Sequence, residues 1–213
     1  MQHKNIDVSP LDAFFMRFIG MPQQGWINMD RRELTHADFL HRLSTAKAAM
    51  INVTLIPGET TYIFLEEMAG KLSLDHKKLM QEFKKQSPYK EGAFVPDTYK
   101  LPLGITEEAV IALLLDRSQK KMKEWSQKIF GTWNEAKWYK YLVLASVIQK
   151  EAASIDEMPI VGSVIQNRLN KKMKLQMDGA LNYGKYSHIK ITPARIRNDR
   201  TAYNTYRYKG IPD

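Results

Sequence analysis

The sequence predicts an α+β protein in which a small module of one strand and two helices precedes a helix-rich, mixed α/β region. Three observations carry this reading. Residues 51–56 (INVTLI) mix β-branched side chains with alternation and are closed by Pro57-Gly58, which reads as a strand and turn. Two short stretches of helical spacing follow within residues 60–85. The longest continuous helical pattern comes later, at 133–153, and a helix over 160–172 follows it. Between the halves lies KEGAFVPDTYKLP (90–102), rich in turn residues, which divides the chain into an amino-terminal region at 1–90 and a second domain at 91–213.

Taken in order, LTHADFLHRLSTAKAAM reads as a short helix with Thr35 as its N-cap and Phe39, Leu40 and Leu43 as its apolar face. After the strand, Thr60 or Thr61 can cap a helix bearing Tyr62, Leu65, Met68 and Ala69, and Ser73 is expected to start the next, with Leu74, His76, Leu79 and Phe83 behind it. A helix over residues 106–123 carries Val110, Leu113, Leu114 and Met122. Beyond Met173 the chain is rich in Gly, Asn and Tyr with little periodicity, as expected of loops and short elements wrapped on helices, where binding residues are usually found.

Composition narrows the chemistry. There is no cysteine, which removes disulfides, thiol catalysis and thiolate metal sites. The five histidines (His3, His36, His41, His76, His188) form no short-spaced pair, so a His-rich metal site is not expected. No stretch approaches the roughly 20 apolar residues of a membrane span, and the opening MQHKNIDVSP lacks the apolar core of a secretory signal. Any export signal or anchor is therefore expected outside this sequence. The net charge of +9 is concentrated: residues 168–213 hold eleven Lys/Arg against three Asp, or +8. Nucleic acid, an anionic membrane surface and an anionic cell-wall polymer are each suitable partners for such a stretch, and a solvated basic face needs none. The stretch contains no recognised nucleic-acid module, so no nucleic-acid partner is expected.

One carboxylate stands out. With Leu144 at 0° and 100° per residue, Val147 falls at about 300°, Ile148 at about 40° and Glu151 at about 340°, which puts Glu151 on the apolar face. Loss of hydration there raises a carboxyl pKa toward the range useful to a general acid. On the next helix Val161, Val164, Ile165 and Arg168 repeat the same angles, so Arg168 also lies on a buried face. Both helices lining one cleft is one reading. A structural Glu151–Arg168 pair is the other, and it lowers the Glu151 pKa instead of raising it. After Glu151 the acidic residues are Asp156, Glu157, Asp178, Asp199 and Asp213, a poor supply for a hydrolase that works with two carboxylates. Serine-hydrolase, NTPase and dinucleotide motifs are missing.

The motifs ASVIQKE (145–151), GSVIQNRL (162–169), LQMD (175–178), NYG (182–184) and AYNTYRYKGIP (202–212) resemble, in that order, those of the YceG-like (MltG) endolytic transglycosylase family. Upstream, IPGET (56–60) and EGAFVPDTY (91–99) are similar to the family's IPEG and EGYLFPDTY segments, so the likeness runs from about Phe39 to Pro212. The resemblance implies cleavage of the bond between N-acetylmuramic acid and N-acetylglucosamine in nascent peptidoglycan, leaving 1,6-anhydromuramoyl ends, with Glu151 as the catalytic acid/base and no cofactor. It further implies a LysM-like module at about 48–88, an inner-membrane anchor outside this chain, a catalytic part facing the periplasm or cell-wall space, and peptidoglycan synthases (penicillin-binding proteins) as partners.

The sequence departs from the family pattern in two ways. Gln149 stands where the family often has a first Glu, which singles out Glu151, and LQMDGALNYG alters the loop between Asp178 and Tyr183. A carboxy-terminal segment normally follows in the family, so the catalytic domain is expected to lack its end. Asn167, Arg168, Gln176, Asp178, Tyr183, Tyr203, Asn204 and Tyr206 are the candidate substrate-binding residues. Of these, Asn167, Gln176, Asn204 and Tyr206 equally suit a role in fixing loops. Asp97 and Tyr99 read as structural, and Met173 and Met177 as packing. A non-catalytic peptidoglycan-binding or scaffold protein is the alternative function.

Overall fold

The computed structural model describes residues 9–20, 26–27, 34–45 and 48–212. Residues 1–8 of the stretch read above for a signal, with His3, and Asp213 lie outside these. Contacts group the chain into two compact units, one drawn from residues 1–53 and 99–106 and the other from 54–98 and 107–213.

In the first unit, α1 (Pro10–Ile19) opens on a capping box between Ser9 and Asp12. It lies in a stretch for which periodicity made no expectation. Asp12 also meets His36 Nε2 at 2.6 Å, at the start of α2 (His36–Thr45). Thr35 accepts the Asp38 N–H, as expected of its N-cap. The strands β1 (Met50–Leu55) and β2 (Asp97–Pro102) form a two-stranded sheet. They run antiparallel, because Leu103 N–H reaches the Ala49 carbonyl while Thr54 meets Thr98 at 3.0 Å. β2 was not expected: Pro96 and Pro102 hide the alternation that buries Tyr99 and Leu101 and exposes Thr98 and Lys100.

The second unit is mostly helical. α3 (Thr61–Leu72) is capped by Thr60, whose hydroxyl accepts from Ile63 N–H. α4 (His76–Gln86) starts at Asp75 and not at Ser73, since Asp75 satisfies the Lys77 and Lys78 N–H groups while Ser73 takes a left-handed conformation that ends α3. Phe94 sits 5.7 Å from Phe64 and 5.3 Å from Phe83, joining α3 and α4 over a core that includes Leu65, Met68 and Leu79. α5 (Glu107–Phe130) extends seven residues beyond the expected end at 123 and packs on α4. Asp97 pairs with Lys121 of α5 at 2.6 Å, a structural role in keeping with its reading as turn chemistry.

α6 (Glu135–Glu151), capped by Asn134, and α7 (Met158–Asn170) occupy the two long helical patterns. Leu144, Val147 and Ile148 of α6 meet Val161, Ile165 and Leu169 of α7 in a core completed by Leu175 and Met177. Val164, expected on the buried face, is 38% exposed and is not part of the α6–α7 core. After Met177 come two 3-10 turns, Asp178–Leu181 and Gly184–Tyr186, and the short α8 (Pro193–Asn198). No helix among the described residues is long and apolar enough to cross a membrane.

Leu79 is fully buried between α4 and its neighbours, so Leu79→Ala should cost about 2–5 kcal/mol of unfolding free energy. Denaturant titration monitored by circular dichroism measures it, and a loss below about 1 kcal/mol would contradict this packing.

Candidate active site

Glu151 is the last residue of α6. The helix stops there because Ala152 turns extended (φ −73°, ψ 132°) while its N–H still bonds the Ile148 carbonyl. Burial of the Leu144, Val147 and Ile148 face carries Glu151 to the edge of the α6–α7 core, where it is half-buried. The segment that meets it is pinned from behind. Leu175 and Met177 are buried, Met177 N–H donates to the Thr205 hydroxyl at 2.8 Å, and that hydroxyl donates to the Met177 carbonyl at 2.7 Å. Gln176 N–H bonds the Thr205 carbonyl with φ at 49°. The 3-10 turn that follows then points Gly179 N–H at Glu151 Oε2, 3.2 Å away. A Cβ on Gly179 would lie 2.5 Å from the Lys150 carbonyl oxygen and 3.0 Å from Glu151 Oε2, so this approach requires glycine.

Burial raises the Glu151 carboxyl above its ordinary value. The Gly179 N–H opposes this by bonding the charged form, Asp178 adds to it as a like charge, and Arg168 opposes it least. The guanidinium of Arg168 instead donates to the Leu175 carbonyl, and no ion pair joins it to Glu151 among the described residues. Of the two readings open from the sequence, the pKa-lowering structural pair is thereby overturned. Tyr206 belongs to the same electrostatic neighbourhood: burial raises its phenol, Asp178 and Glu151 raise it further, and Arg168 opposes. Glu151, Arg168, Asp178 and Tyr206 therefore come together around the 178–179 turn.

The other candidates do not join them. Asn167 and Gln176 are exposed, and no hydrogen bond or charge effect ties their side chains to Glu151 among the described residues. Asn204 requires a correction. It is fully buried, its amide donates to the Ile196 and Asp199 carbonyls at 2.8 Å each, and its oxygen accepts Tyr206 N–H, so it fixes the loop and has no edge left for a ligand. Tyr183 and Tyr203 stack with centroids 4.3 Å apart, and Tyr183 donates to Asp199. Both line a cavity of about 310 Å³ whose wall includes Trp125, Trp138 and Tyr139. Glu151, Arg168, Asp178 and Tyr206 do not line it; Gly179 and Lys150 do, so the cavity and the carboxylate adjoin across the Lys150–Gly179 contact. The cavity and the surroundings of Glu151 are thus two adjoining environments.

At the polar end of that cavity are residues to which sequence reasoning gave no role. Glu59 receives Thr60 N–H at 2.7 Å and His188 Nε2 at 2.7 Å. Glu91, raised by burial, accepts Thr61 N–H at 3.0 Å. Lys150 donates to Ser187 at 3.0 Å. Glu59 and Glu91 lie within the IPGET and EGAFVPDTY motifs, and that was the available signal; sequence distance concealed their meeting with Lys150. Among the described residues no three His, Asp or Glu side chains gather closely enough to hold a metal ion.

Comparison with known proteins adds a family. The model of the YceG-like family matches residues 6–213. A curated endolytic murein transglycosylase of Streptococcus pneumoniae (strain D39) is 29% identical over 129 residues, covering 57% of this chain and 22% of that protein. One of Bacillus subtilis (strain 168) is 28% identical over 122 residues, covering 57% and 33%. The matched part thus spans about a fifth to a third of those relatives' length. The crystal structure of a YceG-like protein from Listeria monocytogenes superposes with a TM-score of 0.60 at 18% identity, over 95% of this chain and 75% of that one, and shares the fold.

The Gly179 approach is directly testable. Gly179→Ala forces the turn away from α6 and should cost about 1–3 kcal/mol of stability. Chemical denaturation measures the cost, and an unchanged midpoint would mean the turn is not held against Lys150.

Proposed function

The chain belongs to the YceG-like family, and from that membership together with the setting of Glu151 we propose that it is a catalytic part of an endolytic peptidoglycan lytic transglycosylase. The observation that carries the reading is a single carboxylate whose pKa is raised by burial, held by one backbone N–H and set beside Asp178, Arg168 and Tyr206. The relatives named endolytic murein transglycosylase support the same reading.

In this proposal protonated Glu151 gives its proton to the oxygen between N-acetylmuramic acid and N-acetylglucosamine as that bond breaks. The resulting carboxylate takes the proton from the muramic 6-hydroxyl while its oxygen bonds the anomeric carbon. The glycan is its own nucleophile, water is not consumed, and Glu151 ends protonated as it began. Gly179 N–H and Arg168 favour the carboxylate form, and burial and Asp178 the acid, so the two stages draw on opposing influences already present around one group. Arg168, Asp178, Tyr183, Tyr203 and Tyr206 are the proposed glycan contacts, the tyrosines through ring faces and hydroxyls. The exposed side chains of Asn167 and Gln176 are proposed to bind further along the strand. We assign residues of about 48–88, which hold β1, α3 and α4, to a LysM-like module that adds glycan affinity, and the region from residue 91 to catalysis. The proposed setting is the periplasmic or cell-wall face of a bacterial inner membrane, beside peptidoglycan synthases.

Mass spectrometry of glycan strands digested with the chain tests the reaction. Anhydromuramoyl ends are expected, and reducing muramic ends would make water the nucleophile, with Asp178 as the second carboxylate. Glu151→Gln keeps the shape of the side chain but cannot exchange the proton, so turnover should fall by about 10⁴ or more with glycan affinity retained. Parental rates in that variant would make Glu151 structural. Asp178→Asn removes a charge that raises the Glu151 pKa, so the protonated acid is lost at lower pH. The alkaline limb of kcat/KM should shift downward, and an unmoved limb would remove Asp178 from the site.

A further inference from the structure

Three polar residues lining the cavity, Glu59, Glu91 and Lys150, are not used in the reaction above, nor are Ser187 and His188, which bond to Lys150 and Glu59. Lys150 is central among them. It immediately precedes Glu151, and its two ends meet the same loop segment at two points. Its carbonyl oxygen is the atom that excludes a Cβ at Gly179, and its ammonium donates to Ser187 Oγ at 3.0 Å, further along that segment. The intervening loop is held from the β1–α3 turn as well, by Thr60 Oγ1 donating to the Gly184 carbonyl at 2.8 Å and by Glu59 meeting His188 at 2.7 Å.

We propose that Lys150 is a positioning residue for Glu151: its ammonium, bonded to Ser187, holds segment 179–187 so that Gly179 stays against the Lys150 backbone carbonyl with its N–H on the Glu151 carboxylate. The placement of its charge accords with this role. Burial lowers the Lys150 ammonium below its ordinary value, the cost of drawing a charge out of water, and the carboxylates of Glu59 and Glu91 oppose that shift. A residue needed only to cover the cavity wall requires no such charge, and methionine would fill the same space. Lys150 touches none of the reacting atoms in the scheme above; it acts through Gly179. The catalytic consequence rests on the reading of Glu151 as the acid/base, whereas the positioning can be observed without turnover.

The test uses the whole chain and three variants. A hydrogen-bonded amide proton reports ionisation of its acceptor, so the Gly179 amide resonance of the parent should titrate with Glu151. In Lys150→Met that titration should lose more than half its amplitude, and Gly179 hydrogen exchange should accelerate about tenfold or more while exchange at Leu114 in the α5 core is unchanged. Lys150→Arg, which keeps a donor and the charge, should restore most of the amplitude. On glycan strands Lys150→Met should lower kcat about 10- to 100-fold with little change in KM, the scale expected of a misplaced catalytic group. Should Lys150→Met fail to fold, Ser187→Ala removes only the outer grip and should show the same changes in smaller degree. A parental Gly179 titration in Lys150→Met, or in Ser187→Ala where it substitutes, overturns the proposal. If the parent releases no anhydromuramoyl ends, the acid/base reading fails separately, and the amide titration still decides whether Lys150 positions Glu151.

Discussion

The site depends on one close approach, that of the Asp178–Leu181 turn to the last turn of α6. Gly179 lies against the Lys150 carbonyl and directs its N–H to Glu151 Oε2. Any side chain there would separate the two elements, and Glu151 would then exchange a fixed backbone donor for water. The rest of the second unit is organised to maintain that contact. The Val147, Ile165, Leu175 and Met177 core sets the angle of α6 to α7 and anchors the incoming strand of the turn. The Thr205 hydroxyl, bonded in both directions to Met177, closes it from the other side.

The balance of opposing influences on Glu151 follows from the same contact. Burial disfavours the charged form, while a single backbone N–H and a more weakly acting arginine favour it. Had Arg168 paired directly with the carboxylate, it would favour the charged form more strongly and oppose the effect of burial. Its guanidinium is instead engaged by the Leu175 carbonyl, which leaves its charge close enough to act on Tyr206 and Glu151 without quenching the acid. Asp178, at the start of the turn, contributes in the opposite sense.

Much of this was legible in the sequence because it rests on local chemistry. The 100° steps along 144–151 and 161–168 placed Glu151 and Arg168 at the edge of one core, and Thr35 and Thr60 were readable as caps. What escaped depended on pairings distant in sequence or on competing local signals. β2 was hidden by flanking prolines, Ser73 resembled a cap but takes the left-handed turn that ends α3, and the choice between substrate contact and loop fixing at Asn204 needed the three bonds that turn it inward. Glu59, Glu91 and Lys150 are brought together only by folding, so neither spacing nor charge count could assemble them. Gly179 was visible as a departure from the family's loop pattern, but the reason for a glycine there lies in the Lys150 carbonyl, which only the fold brings near.

The central claim is that its environment holds the Glu151 carboxyl in the acid form to higher pH than an ordinary glutamate. Carboxyl carbon-13 titration of Glu151, assigned by comparison with the Glu151→Gln variant, measures this directly. The account predicts a midpoint above the ordinary value of 4.5, and a midpoint at or below it would contradict the account.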